Sequence, residues 1–147
     1  LSLFVLSAVA EDVVSSASLV DYYGAALEGD DLLNAINSYN GFYAVTTVND
    51  NGDPLTGFFI FSCVKDDEGN YYLMLGLAEN QSRLNMLSNG KVYAMYACLP
   101  AEGETYPTSG ARMELELVTD EALIAALNTT GYNTALFAKI VSVRPLG

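Results

Sequence analysis

The sequence predicts a mainly β domain with peripheral helices (α+β), its six antiparallel strands closed or nearly closed into a barrel. Three observations lead there. Apolar residues alternate at a period of two through residues 42–48, and five further strand-like runs follow before residue 144. Clusters of Gly, Asn, Asp and Pro punctuate those runs, which is the chemistry of tight turns. Of the 147 residues, 51% are hydrophobic and only 16% charged, which excludes a disordered chain and is enough for one buried core. Antiparallel sheets of this size remove their unpaired edges by closing.

The first ten residues, Leu-Ser-Leu-Phe-Val-Leu-Ser-Ala-Val-Ala, are apolar and end in the small-x-small pattern Ala8-Val9-Ala10 of a signal-peptidase site. They are shorter than the about 20 residues that cross a bilayer. Two accounts remain open. A segment packed on the domain or on a partner subunit goes with a cytoplasmic protein; the tail of a signal sequence goes with a secreted or periplasmic one. Val13, Val14, Ala17, Leu19, Val20 and Tyr23 then fall at loose helical spacing, with breaks at Gly24 and Gly29. Residues 1–30 are therefore expected to be an extension, and residues 31–147 the barrel domain.

A helix is expected next, with Asp30 or Asp31 as its cap, Leu32, Leu33, Ile36 and Tyr39 as its apolar stripe and Asn40-Gly41 as its stop. The strand over 42–48 turns at Asn51-Gly52-Asp53-Pro54 into a long apolar strand over 55–64. A second turn over 66–70 leads to a third strand over 71–77. A helix over 80–89 precedes a strand over 92–99 and an irregular loop containing Pro100, Gly103 and Pro107. A strand over 111–118, a helix over 120–127 and a closing strand over 135–143 complete the domain. The sequence shows no internal repeat or linker.

Charge removes several function classes. Eighteen acidic residues against six basic ones leave a formal charge of -12, a field that repels nucleic acid. Asp66, Asp67 and Glu68 lack the alternating spacing of a calcium loop, so no metal site is expected. With no histidine, the commonest general base and metal ligand are both missing. Cys63 and Cys98 lie in apolar runs and read as reduced core thiols. Glu114 and Glu116 share a strand face, most simply as solvent-facing charges.

Two stretches resemble a known family. Thr46-Thr47-Val48-Asn49 followed by Asp50-Asn51-Gly52-Asp53-Pro54 is similar to the strand and Gly-x-Pro turn of the FMN-binding split β-barrels, the pyridoxamine 5'-phosphate oxidase-like proteins. Their Ser-x-Lys/Arg helix start resembles Gln81, Ser82 and Arg83 here, with the serine displaced by one and the usual asparagine replaced by Met86, before Leu87. The closing strand, acidic helix and last strand near Arg144-Pro145 are similar too. The resemblance covers roughly residues 31–147.

The resemblance implies a six-stranded split barrel that binds FMN, forms a homodimer and passes electrons or hydride to or from a small-molecule donor or acceptor. The alternative is a non-catalytic barrel that binds another ligand or serves assembly, so whether the chain is an enzyme stays open. For the FMN phosphate, Arg83 beside Gln81 and Ser82 is the first cation to consider, since a helix N-terminus also favours an anion. Arg112 is the second. Thr46 and Thr47 offer donors to the ring edge, and Gly76 offers room for close approach. No catalytic acid or base, metal, nucleic acid or membrane partner is expected.

Overall fold

The computed structural model describes residues 21–147, so the helical spacing and the apolar run expected before residue 21 lie outside the described residues. Helix α1 (Gly29–Asn37) buries Leu32 and Ile36, as the stripe predicts. Neither Asp30 nor Asp31 is its cap. Both lie in the first turn, where they complement the helix dipole, and Glu28 precedes the helix. Tyr39 lies beyond the helix with φ of 53°, so a left-handed residue ends the element one step before the predicted stop.

Strands β1 (Gly41–Val48), β2 (Pro54–Gly57), β3 (Ser62–Lys65), β4 (Tyr71–Leu75), β5 (Lys91–Cys98), β6 (Gly110–Leu117) and β7 (Leu136–Arg144) form one antiparallel sheet in the order β2-β1-β5-β6-β7-β4-β3. Seven strands replace the expected six, and the sheet is not closed by hydrogen bonds. The difference lies in the predicted strand over 55–64. Its first part pairs with β1 and its last part with β4, at opposite ends of the sheet. Only residues 58–61 join the two ends, a reach of at most about 18 Å at roughly 3.5 Å per residue. The sheet must therefore curl until its edges nearly meet, leaving a split between β2 and β3.

Inside the curl, Tyr43, Val45, Phe61, Cys63, Leu73, Leu75, Val92, Ala94, Tyr96, Met113 and Leu115 form the main core. The Tyr43 ring lies 5.0 Å from both Phe61 and Tyr96 in edge-on contacts, and its hydroxyl donates to the Ile36 carbonyl. Gly41 and Gly110 flank the end of β5. A Cβ at Gly41 would stand 2.6 Å from the Ala97 carbonyl oxygen, and one at Gly110 would stand 2.2 Å from that of Tyr96. Only glycine allows the strands to approach so closely there.

Helix α2 (Gln81–Asn89) closes one end of the core with Met86. Asn80 caps it by accepting from the Arg83 N–H, and Gly90 stops it with φ of 69°. Helix α3 (Glu121–Leu127) is capped by Asp120 and packs outside the barrel, where Leu127 meets Tyr72, Ala135 and Phe137. The outer face of β4 and the start of β7 is thereby covered. Among the described residues no helix is long and apolar enough to cross a membrane.

Candidate functional site

Strand alternation exposes a second set of side chains on the outer face away from α3. Cross-strand registers arrange them in two adjacent rows. Ala44, Met95, Arg112 and Arg144 stand opposite one another in turn, and so do Thr56, Thr46, Tyr93, Glu114 and Ser142. Together they line a cleft of about 470 Å³. That size suits a small organic ligand, and its mix of apolar walls with a few placed polar groups is typical of such sites.

Arg144 reaches the cleft because of an irregularity. Between Glu114 and Leu115 the register on β7 jumps from Ser142 to Ile140 and leaves Val141 as the extra residue. Ala138 and Ile140 pack on the core, so strict alternation would turn Ser142 and Arg144 inward as well. The bulge reverses the phase: Val143 packs inward, and Ser142 and Arg144 face the cleft.

Two guanidinium groups directly opposite each other repel. Asp21 sits between them. One carboxylate oxygen accepts from Arg112 Nη2; the other accepts from Arg144 Nε at 3.2 Å and Nη2 at 3.0 Å. Arg112 Nε also donates to the Pro145 carbonyl at 2.6 Å. In the other row the Thr46 and Thr56 hydroxyls are 2.8 Å apart, and Ser142 Oγ donates to Glu114 at 3.1 Å.

The residues singled out from sequence are not gathered in one place. Thr46 and Arg112 line the cleft. Thr47 is on the opposite face of β1, fully buried, where its hydroxyl accepts from the Asn85 amide at 3.1 Å. Ser82 is buried in α2, and Gln81 donates to Asn85 at 2.8 Å. Arg83 Nη1 donates to the Thr134 carbonyl at 2.6 Å and the Leu77 carbonyl at 3.4 Å, tying α2 to the loop before β7. Gly76 falls just after β4, exposed, with nothing within 4 Å of where a Cβ would stand. Sequence reasoning missed Arg144, Tyr93 and Thr56 as cleft residues. The pairing of Thr56 with Thr46 needs the hairpin register, and Arg144 needs the bulge.

Among the described residues no group of three His, Cys, Asp or Glu side chains is placed to hold a metal ion. Cys63 and Cys98 are free thiols. Burial pushes the Cys63 thiol up to about 12, so it offers no thiolate near neutral pH.

No family model matches the chain, and neither does any curated protein. Solved structures do. An FMN-binding protein from Syntrophomonas wolfei aligns with a TM-score of 0.58 at 16% identity, over 80% of this chain and 85% of that one. HupZ of Group A Streptococcus aligns with a TM-score of 0.56 at 20% identity, over 82% and 94%. A candidate pyridoxamine 5'-phosphate oxidase from Lactobacillus delbrueckii gives 0.51 at 17% identity, over 82% and 92%. This chain shares their fold. At such identities the likeness extends to the backbone architecture and no further.

Proposed function

We propose that the chain binds a flavin mononucleotide in the outer-face cleft, as a homodimer, and serves as a flavin-dependent oxidoreductase. The observation that carries the reading is the cross-strand pair Arg112 and Arg144. In a chain with six cations and a charge of -12, two of those cations converge on one cleft beside an apolar wall. A phosphate monoester carries nearly two negative charges, and Arg is the residue suited to hold it with several parallel hydrogen bonds.

The remaining lining suits the rest of such a ligand. Ala44, Met95 and the Tyr93 ring present an apolar surface to a flat heterocycle, while the Thr46 and Thr56 hydroxyls can donate to its polar edge. The bound flavin would supply the electron or hydride transfer; the chain supplies binding, orientation and shielding from water. This division is compatible with the absence of histidine. Tyr93 and Phe42 are exposed on this face, at 46% and 42%, which supports a second copy covering it.

One observation favours a second reading, a barrel that binds no flavin and serves assembly. Arg83 already donates to two backbone carbonyls, so the helix start resembling the family's phosphate motif is occupied by the protein's own contacts.

An FMN titration followed by absorbance and fluorescence tests both readings, with Arg112→Gln and Arg83→Ala alongside the unmodified chain. Micromolar binding lost only in Arg112→Gln supports the cleft. Binding lost only in a folded Arg83→Ala moves the site to α2. No binding to the unmodified chain leaves the assembly reading. Sedimentation of the unmodified protein as a monomer at micromolar concentration would remove the homodimer.

A further inference from the structure

We infer that Asp21 is a built-in competitor for the anionic group that Arg112 and Arg144 can hold, so that the segment carrying it regulates access to the cleft. The identity of the ligand rests on the flavin reading; the competition between anions does not.

The argument begins with the arginine pair. Arg112 and Arg144 are direct cross-strand partners and need an anion between them. The sheet does not provide it: Glu114, on the same face of β6, is engaged by Ser142. Asp21 provides it from the irregular segment before α1. Its side chain retains 18% exposure, against 41% and 26% for Arg112 and Arg144, so the three-residue cluster borders solvent and an incoming anion can reach it.

Among the described residues, four backbone and side-chain hydrogen bonds anchor the segment besides Asp21. The Tyr22 and Tyr23 N–H groups donate to the Gly147 carbonyl at 2.6 and 3.0 Å, Tyr23 Oη donates to Pro107 at 3.3 Å, and the Leu27 N–H donates to Gly110 at 2.9 Å. Two of these anchors fall on the exposed Gly147 and one on Pro107 in the irregular loop before β6, and contacts to exposed, irregular backbone open easily. A carboxylate brings one negative charge and two oxygens to the pair. A phosphate monoester brings nearly two charges and three oxygens, and one tethered through a ring seated in the same cleft acts at high effective concentration. The phosphate therefore displaces Asp21, and the segment before α1 loses its ion pairs with β6 and β7. In the absence of a phosphate ligand the same carboxylate neutralises the arginines and keeps weaker anions out.

Asp21→Asn tests this, titrated with FMN, with riboflavin, which lacks the phosphate, and with inorganic phosphate. The expected result is about tenfold tighter FMN and phosphate binding, the gain that corresponds to removing a closed form populated roughly nine times in ten, with riboflavin unchanged. Arg144→Gln should abolish the gain. Equal FMN binding by the two proteins would overturn the inference and leave the flavin reading standing. Phosphate binding gained by Asp21→Asn, with no FMN binding to either protein, would do the reverse. Should the variant fail to fold, the side-chain carboxyl carbon resonance of Asp21 in the unmodified protein decides. It should move on adding FMN, or inorganic phosphate if FMN does not bind, and an unmoved resonance at saturation overturns the inference.

Discussion

The carboxamide of Asn37 pairs with both backbone groups of Cys63, donating to its carbonyl and accepting from its N–H, each at 2.8 Å. Residue 63 lies on β3, an edge of the sheet, and the end of α1 does for it what a neighbouring strand would do. Edge strands left with free N–H and C=O groups are templates for unwanted pairing. Asn37→Ala should therefore lower stability by about 1–3 kcal/mol, the range for leaving partly buried polar groups without partners. Urea unfolding would show this as a lower midpoint, and light scattering near the midpoint should rise. An unchanged midpoint would mean that water replaces the amide at no cost.

Thr47 and Asn85 form the inner tie between β1 and α2, at 0% and 4% exposure. Thr47→Val alone strands the Asn85 amide, and Asn85→Leu alone strands the Thr47 hydroxyl. Each single change should cost about 1–3 kcal/mol, and the double variant should cost less than the sum. Additive losses in a double-mutant cycle would show that the pair is uncoupled.

The two thiols should differ sharply in reactivity. Burial pushes Cys63 up to about 12, whereas Cys98 is only half-buried. At pH 8 a disulfide reagent should label one thiol per chain quickly, and the second only as fast as the protein opens. Two equal fast phases would contradict the burial of Cys63.

Acid should weaken the β3–β4 turn. Asp66 accepts from the Asn70 side chain and from the N–H groups of Asn70 and Glu68, and also from the Tyr72 hydroxyl, which together hold its carboxyl at about 2, below the ordinary 3.8. A folded-state pKa below the unfolded one contributes stability above the unfolded value, and that contribution is lost as pH falls through the folded one. The window thus runs from about pH 4 down to about pH 2. Asp30 is lowered as well, by Lys65 and then Tyr71, and Asp50 by Ser88 and then Asn89. Asp66→Ala should be less stable at pH 7 and should lose less on acidification across that window. Parallel stability curves for variant and unmodified protein would contradict the assignment.

Much of the fold was legible because its signals are local. Alternation over β1, β5 and β6 and the helices expected over 80–89 and 120–127 each depend on neighbours within a few residues. The alternation even persists across the split: Phe59 and Phe61 pack on the core while Phe58 and Ile60 are exposed. That continuity is why residues 55–64 read as one strand. Periodicity reports which face a side chain occupies and carries no information about which strand accepts the backbone hydrogen bonds, so the change of partner from β1 to β4 left no mark.

The candidate site shows the same division. Thr46, singled out through the family resemblance, and Arg112, singled out as one of few cations, both line the cleft, while Thr47 faces the core. Arg144 was not singled out for the site, because the bulge at Val141 reverses the alternation on β7 and is specified by pairing with β6 rather than by local residues. Arg83 looked like a phosphate ligand from its place in the first turn of a helix, yet its actual partners, the Leu77 and Thr134 carbonyls, include one 51 residues away. The sequence by itself determined the alternation of β1, β5 and β6, the approximate spans of α2 and α3 and the scarcity of cations. Only the tertiary structure decided which side chains meet, because strand register, the split and the placing of Asp21 between two arginines all depend on contacts between residues far apart in the chain.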